Sequence, residues 1–270
     1  MRTFVISDIH GQYGAYRRLL EEIDFKSTDF MYVLGDVIDR GNDGIEVIRD
    51  LMRRDNVELF LGNHELMMLN SIAFERKARS GSVDMSIYAI HYTPLELWTH
   101  PSNGGTSTHQ AFYMQSQKEQ DEMEKYLREL PLIRRVKVGG RSYHLSHSYS
   151  LHRKFGNELY YANARLKEPE HVVWESIFDE PDFTPLDRSQ WPFFYKRDTY
   201  IVGHVFTQRL GHVNEEGQGN IFKGKYRGYK VINIDCGLAL RSKSSRLGCL
   251  QLENEEETYV TLEDSEREDE

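Results

Sequence analysis

Three short apolar runs stand near the start of the chain: Phe4-Val5-Ile6, Met31-Tyr32-Val33-Leu34 and Val57-Glu58-Leu59-Phe60-Leu61. Each has strand length. Between the first two, Tyr16, Leu19, Leu20 and Ile23 recur at i, i+3, i+4 and i+7, the period of an amphipathic helix. Ile45, Ile48, Leu51 and Met52 repeat that spacing, and Leu66 to Phe74 reads as a third helix. Strands alternating with helices over the first 75 residues predict an α/β sheet with helices packed on it.

The pattern weakens from Arg76 to Lys118, where Pro94, Pro101 and Gly104-Gly105 punctuate it. Gln117 to Leu130 recovers a helix that Pro131 stops. Ile133–Val138 and Ser142–His147, joined by Gly139-Gly140, carry a hairpin signal. Residues 149–197 are aromatic-rich and irregular, a length of insertion that fits a lid or binding loop as well as ordinary packing under a surface loop. Tyr200-Ile201-Val202, Tyr229–Ile234, Leu247–Leu252 and Thr258–Leu262 read as further strands. The expected organisation is one domain over residues 1–262, with lid segments at about 80–110 and 149–197, followed by an acidic tail at 263–270.

Charge sharpens this picture. The 270 residues carry a net −9, and residues 253–270 hold all of it, with ten Asp/Glu against one Arg. Residues 1–252 balance to zero, so the chain lacks the basic footprint of a nucleic-acid duplex binder. The tail offers nothing apolar to bury and is expected to be disordered. No stretch approaches the ~18 apolar residues of a membrane span, and no secretory signal pattern opens the chain. Two cysteines cannot build a disulfide framework, which leaves a reducing cytoplasmic setting as the expectation.

The chemistry lies at the strand ends. The first strand ends Asp8-Ile9-His10-Gly11, the second Gly35-Asp36-Val37-Ile38-Asp39-Arg40-Gly41, and the third Gly62-Asn63-His64-Glu65. Ligands of α/β sheets sit beyond the carboxyl ends of the strands, so these groups are expected to converge. A single Asp-x-His is weak evidence, because both residues are common in turns and caps. Three such ends in succession are strong. Asp, Asn and His without Cys suit Mn²⁺, Fe²⁺ or Zn²⁺ rather than a thiolate zinc site. The glycines among them allow sharp turns and close approach to an anion. Two metals need a bridging carboxylate, and Asp36 is the central candidate.

Asp-x-His, Gly-Asp-x-x-Asp-Arg-Gly and Gly-Asn-His-Glu, in this order, resemble the phosphoprotein phosphatase (calcineurin-like) metallophosphoesterases, most of all the compact bacterial and phage type. Asn103-Gly104-Gly105, Glu129-Leu130-Pro131-Leu132, Leu145-Ser146-His147-Ser148, Gly203-His204 and Ile234-Asp235-Cys236-Gly237 extend the likeness over most of residues 3–252. The resemblance implies a four-layer α/β/β/α sandwich with lid insertions. It implies two divalent metal ions, manganese foremost and iron or zinc as alternatives. Asp8, His10 and Asp36 would hold the first metal, and Asp36, Asn63, His147 and His204 the second. Arg40 would bind phosphoryl oxygens, and His64 would protonate the leaving alkoxide with Asp39 orienting its ring. His144 is the rival to His147 if the strand end is misplaced, and the role of Asp235 stays open.

One departure bears on substrate. The group usually carries a second phosphate-clamping arginine two residues after a tryptophan, whereas this chain reads Val173-Trp174-Glu175-Ser176. Arg153, Arg165, Arg188 or Arg241 could replace it, or diesters could gain over monoesters. The leading expectation is a serine/threonine protein phosphatase acting on a phosphorylated protein or a small phosphoester. Hydrolysis of dinucleoside polyphosphates or of cyclic and other phosphodiesters is the alternative. A catalytically silent binding module is the reading from another class, and retention of an acid with its orienting carboxylate argues against it.

Overall fold

The computed structural model describes residues 1–88, 91–148, 170–174, 176–178, 197–226 and 229–268. The first sheet takes β1 (Thr3–Ile6), β2 (Phe30–Val33), β3 (Val57–Leu59), β9 (Arg246–Gln251) and β10 (Glu256–Thr261), in the order β10-β9-β1-β2-β3. β1, β2 and β3 run parallel, and β9 and β10 add antiparallel. The second sheet takes β4 (Ile133–Val138), β5 (Arg141–Ser146), β6 (Thr199–Val202), β7 (Phe222–Tyr226) and β8 (Tyr229–Asn233), in the order β4-β5-β6-β8-β7. Its three central strands β5, β6 and β8 are parallel.

Strand alternation divides the core in two. Phe4 and Ile6, Met31 and Val33, Leu59, and Leu247 and Cys249 face the helices. Val5, Leu34, Phe60 and Leu250 face the other way and meet Tyr143, Leu145, Ile201 and Ile232 of the second sheet. The strands read as unbroken apolar runs because both faces are buried. On the helical side lie α1 (Tyr13–Glu22), α2 (Gly44–Met52), α3 (Asn63–Arg79), α4 (Pro94–Thr99), α5 (Thr106–Tyr113) and α6 (Gln117–Arg128). A short helix α7 (Glu170–Val173) joins them through Val172 and Val173. The molecule is thus a mixed α/β fold with two sheets and helices, matching the calcineurin-like sandwich.

Three expectations differ from the structure. Much of the lid expected at about 80–110 is helical instead: it supplies α4 and most of α5, which pack into the core through the buried Trp98 and Phe112. Capping explains this where periodicity was silent: the Thr93 backbone N–H donates to Glu96 Oε2 at 2.8 Å, and Thr93 Oγ1 accepts from the Glu96 N–H at 3.2 Å. Second, α3 continues to Arg79, because Arg76, Lys77 and Arg79 complement the end of its dipole without showing an apolar period. Third, residues 263–268 are docked rather than free. Glu266 receives Arg18 Nη1 at 3.0 Å and Nη2 at 2.6 Å, so charge pairing orders a segment that has nothing apolar to bury. Most of the expected lid at 149–197 lies outside the described residues, as do Arg153, Arg165 and Arg188.

Candidate active site

Asp8 and His10 follow β1, Asp36 follows β2, Asn63 opens α3 just past β3, and His147 and His204 follow β5 and β6. The parallel strands of both sheets therefore deliver them to one edge of the sandwich. Asp36 Oδ2 lies 3.8 Å from His10 Nε2, 3.8 Å from His64 Nε2 and 3.4 Å from His147 Nε2. His147 Nε2 is 3.0 Å from Asn63 Oδ1 and 3.2 Å from His204 Nδ1, while His10 Nε2 is 3.8 Å from Asp8 Oδ1. Among the described residues two groups have ligand atoms close enough to hold an ion, His10–Asp36–His64 and Asp36–His147–His204; Asp36 belongs to both, and the first brings in His64 where Asp8 was the expected ligand. His144, the rival to His147, points away: its Nε2 meets Asp198 at 2.8 Å and its ring stacks on Tyr200.

The donor chemistry fits a pair of cations. His147 Nδ1 donates to the Leu34 carbonyl at 2.7 Å, and His10 Nδ1 to that of Ile38 at 3.2 Å. Each ring therefore turns an Nε2 lone pair toward carboxylate and amide oxygens, which are acceptors as well. Such a set of acceptors repels itself unless a cation sits among them. Burial, reinforced by Asp235, pushes the Asp8 carboxyl well above the usual carboxylate range; burial and Glu65 do the same to Asp36. Burial and neighbouring imidazoles push His10 and His147 well below the usual histidine range. A divalent cation among them favours the deprotonated form of all four, drawing the carboxyls back to carboxylates and keeping the imidazoles neutral.

Backbone strain is concentrated here. Of nine non-glycine residues with positive φ among the described residues, six are Asp8, His10, Asp36, Asp39, Arg40 and His204. Conformations costing about 1–3 kcal/mol each persist only where the surroundings hold them, which is typical of functional sites.

His64 and Asp39 form a second unit at the edge of the cluster. His64 Nδ1 lies 2.7 Å from Asp39 Oδ2, and both side chains are buried. Burial raises Asp39 to about 7 against the pull of Thr108, Trp98 and Arg40. Trp98 Nε1 donates to Asp39 Oδ2 at 2.8 Å, and the Asp39 N–H donates to Thr108 Oγ1 at 3.0 Å. Trp98 and Thr108 come from the segment where the sequence pattern was weakest, and no sequence signal assigned them to the site. Arg40 presents a buried Nε with no hydrogen-bond partner among the described residues.

Glu65 is the other residue that sequence reasoning left without a task. It is fully buried and accepts three backbone N–H groups: Val37 at 2.8 Å, Asp36 at 2.9 Å and Gly62 at 3.0 Å. One carboxylate thereby ties the loop after β2 to the start of α3. Residue 62 must be glycine, because a Cβ there would run into Asp36 Oδ1 and the Asp36 N–H. The signal was present as the N-cap to N3 spacing of Gly62 and Glu65. Of the four arginines that could replace a second clamp, Arg241 alone is described. Its Nη1 donates to the Arg40 carbonyl at 3.2 Å and to Glu268 Oε1 at 2.7 Å.

The chain is 41% identical over 71 residues to the symmetrical bis(5'-nucleosyl)-tetraphosphatase of Buchnera aphidicola subsp. Acyrthosiphon pisum, covering 26% of each chain. It is 32% identical over 107 residues to that of Buchnera aphidicola subsp. Baizongia pistaciae, covering 35% of this chain and 38% of the relative. The matches thus span only about a quarter to two-fifths of the relatives' length. Among solved structures, a protein serine/threonine phosphatase from Saccharomyces cerevisiae aligns with a TM-score of 0.54 at 16% identity, covering 100% of this chain and 77% of the other. A cold-active protein-tyrosine phosphatase of a Shewanella species gives 0.54 at 18%, covering 96% and 80%. At such identities these two neighbours speak for the fold alone. The family model for calcineurin-like phosphoesterases matches residues 1–205, three-quarters of the sequence and most of the cluster just described, and the chain belongs to that family.

Proposed function

We propose that this chain is a dinuclear-metal phosphohydrolase that cleaves a phosphoanhydride bond of dinucleoside 5',5'-tetraphosphates. The observation that carries the reading is the buried cluster around Asp36, shared by two potential metal groups, with the His64–Asp39 pair at its edge. The curated relatives, named as tetraphosphatases, favour the nucleotide substrate. A serine/threonine protein phosphatase takes second place, since its support is a likeness of fold.

In this reading Asp8, His10 and Asp36 hold one ion, and Asp36, Asn63, His147 and His204 the other. Manganese is the first choice, with iron or zinc as alternatives. When bound, the ions supply Lewis acidity and a nucleophilic water. The protein does the rest. Asp36 spans the two groups, and its Oδ1 accepts the His64 N–H at 3.0 Å, so the acid and the bridge share one frame. Arg40 holds phosphoryl oxygens with charge-assisted hydrogen bonds. Asp39 fixes the His64 ring through Nδ1 and leaves Nε2 to give its proton to the leaving oxygen. The two free, buried cysteines, Cys236 and Cys249, suit the reducing cytoplasm that the proposal includes. No described helix is long and apolar enough to cross a membrane.

The test is a substrate panel with Mn²⁺: an aryl monoester, an aryl diester, a phosphoserine peptide and diadenosine tetraphosphate. The highest kcat/KM is expected on diadenosine tetraphosphate. A higher value on the phosphoserine peptide overturns the substrate. Two bound metal equivalents with no turnover of any of the four overturns the enzyme reading itself.

A further inference from the structure

The acidic segment at 263–268 was expected to be disordered, yet it is linked through Arg241 to the loop that carries Arg40. We infer that Arg241 is a positioning residue for Arg40, and that residues 263–268 hold Arg241 in place. The inference rests on the reading of Arg40 given above.

Arg40 has a left-handed backbone, φ 64°, which a non-glycine residue keeps only if its peptide groups are held. Its N–H donates to the Gly104 carbonyl at 3.0 Å. Its carbonyl accepts Arg241 Nη1 at 3.2 Å. The two contacts hold the peptide groups on either side of the Arg40 Cα. Arg241 in turn has φ 49°, and three bonds to the acidic segment hold it. Nη1 donates to Glu268 Oε1 at 2.7 Å, Nε donates to the Glu266 carbonyl at 3.3 Å, and the Arg241 carbonyl accepts the Glu268 N–H at 3.0 Å.

The segment is anchored independently of Arg241. Glu266 forms a two-pronged pair with Arg18 of α1, and its Oε2 accepts the Glu263 N–H at 2.7 Å. Arg267 Nη2 donates to the Leu262 carbonyl at 2.7 Å. Residue 14 is glycine where the Glu266 carboxylate lies, and a side chain there would meet it. A chain of contacts therefore runs from α1 through Glu266 and Glu268 to Arg241 and the Arg40 carbonyl. Among the described residues no hydrogen bond joins Arg18, Glu266, Glu268 or Arg241 to the metal cluster, so their effect falls on how well phosphate is held rather than on the reacting atoms.

The test compares wild type with Arg241→Gln, Arg241→Lys, Glu268→Gln and a form lacking residues 263–270. Each is assayed on p-nitrophenyl phosphate, with inorganic phosphate as competing inhibitor, at 0.05 M and 1 M NaCl. Binding of inorganic phosphate to the metal-loaded proteins is also followed by calorimetry. Arg241→Gln is expected to raise KM and the phosphate Ki about 5–30-fold, the worth of one partly buried hydrogen bond from a charged donor, with kcat within about twofold. Arg241→Lys should recover part of this loss. Glu268→Gln should cost about 2–3-fold at low salt and nothing at high salt, because the pair is exposed on the Glu268 side. Unchanged KM and Ki in Arg241→Gln, or in Glu268→Gln and the shortened form should the first not fold, overturn the inference. So does a lower Ki on shortening, which would make Arg241 a clamp that the segment masks. Arg40→Ala separates the two levels. If it leaves the phosphate Ki unchanged, the reading of Arg40 itself fails.

Discussion

Glu65 gives the sharpest test of how the site is assembled. Its two carboxylate oxygens accept three backbone N–H groups at 2.8–3.0 Å from a side chain with no solvent exposure. Glu65→Ala removes both acceptor oxygens, and with them all three bonds, and admits no obvious substitute. A buried donor left without a partner costs about 1–3 kcal/mol, so three of them put the loss near 5 kcal/mol, before any cavity is counted. That is comparable with the whole stability of many domains, about 5–15 kcal/mol. Glu65→Gln should cost less, about 2 kcal/mol. Its carbonyl oxygen can still serve Asp36 and Gly62, but its amide then faces the Val37 N–H, donor against donor. The expected order in urea unfolding of the metal-free proteins is wild type, then Gln, then Ala. Metal affinity should fall in the same order, because Asp36 and Asn63 ride on the peptides that Glu65 ties. Glu65→Ala within about 1 kcal/mol of wild type, with two metals still bound at wild-type affinity, would refute the reasoning.

Three further outcomes are expected. His64→Asn should keep its metals but lose about 10²–10⁴ in turnover on esters with poor leaving groups, and far less on an activated aryl phosphate; equal losses on both would remove His64 from the acid role. Asp36→Asn should lose both metals by elemental analysis whereas Asn63→Ala weakens one, and two equivalents retained at wild-type affinity in Asp36→Asn would rule out the bridge. Asp29 is held at about 2 by hydrogen bonds from Arg2, so the stability it contributes is present above pH 4 and lost as pH falls toward 2. Asp29→Asn should therefore unfold at lower urea than wild type at pH 7, with the gap closing between pH 4 and 2; a gap constant down to pH 2 contradicts the linkage.

The legible parts of this molecule share one property: their signal is local. Phe4-Val5-Ile6 or the spacing of Tyr16, Leu19 and Leu20 can be read within a few residues, because burial of one stripe or of both strand faces imposes its period on the sequence. The three strand-end motifs are legible for the same reason. Each sits within a few residues of a strand, and parallel topology does the rest, bringing Asp8, Asp36 and Asn63 together and adding His147 and His204 from the second sheet. Trp98 was not legible. It reaches Asp39 across 59 positions through a single indole N–H, and nothing near it in sequence marks that partner. The docking of residues 263–268 was hidden too, because composition predicts disorder from the lack of apolar residues. Arg18, 248 positions away from Glu266, supplies by charge what burial does not.

Substrate choice belongs to the same non-local class. In the proposed mechanism the metal ligands and the His64–Asp39 pair act on the phosphoryl group, which a phosphoserine and a dinucleoside tetraphosphate have in common. What separates the two is the leaving group. A serine alkoxide must be protonated as it departs, whereas a nucleoside diphosphate leaves a phosphoanhydride as a stabilised anion and needs that proton far less. The histidine variant therefore tests the acid role by comparing two leaving groups on one enzyme. Whichever substrate is natural, His64→Asn should lose much less activity on diadenosine tetraphosphate than on a phosphoserine peptide. The ratio of the two losses measures how far the site depends on His64 as an acid. A loss on the tetraphosphate as large as that on the peptide would mean that His64 does something other than protonate the leaving oxygen, such as holding the phosphate chain, and the division of labour between His64 and Arg40 would have to be redrawn.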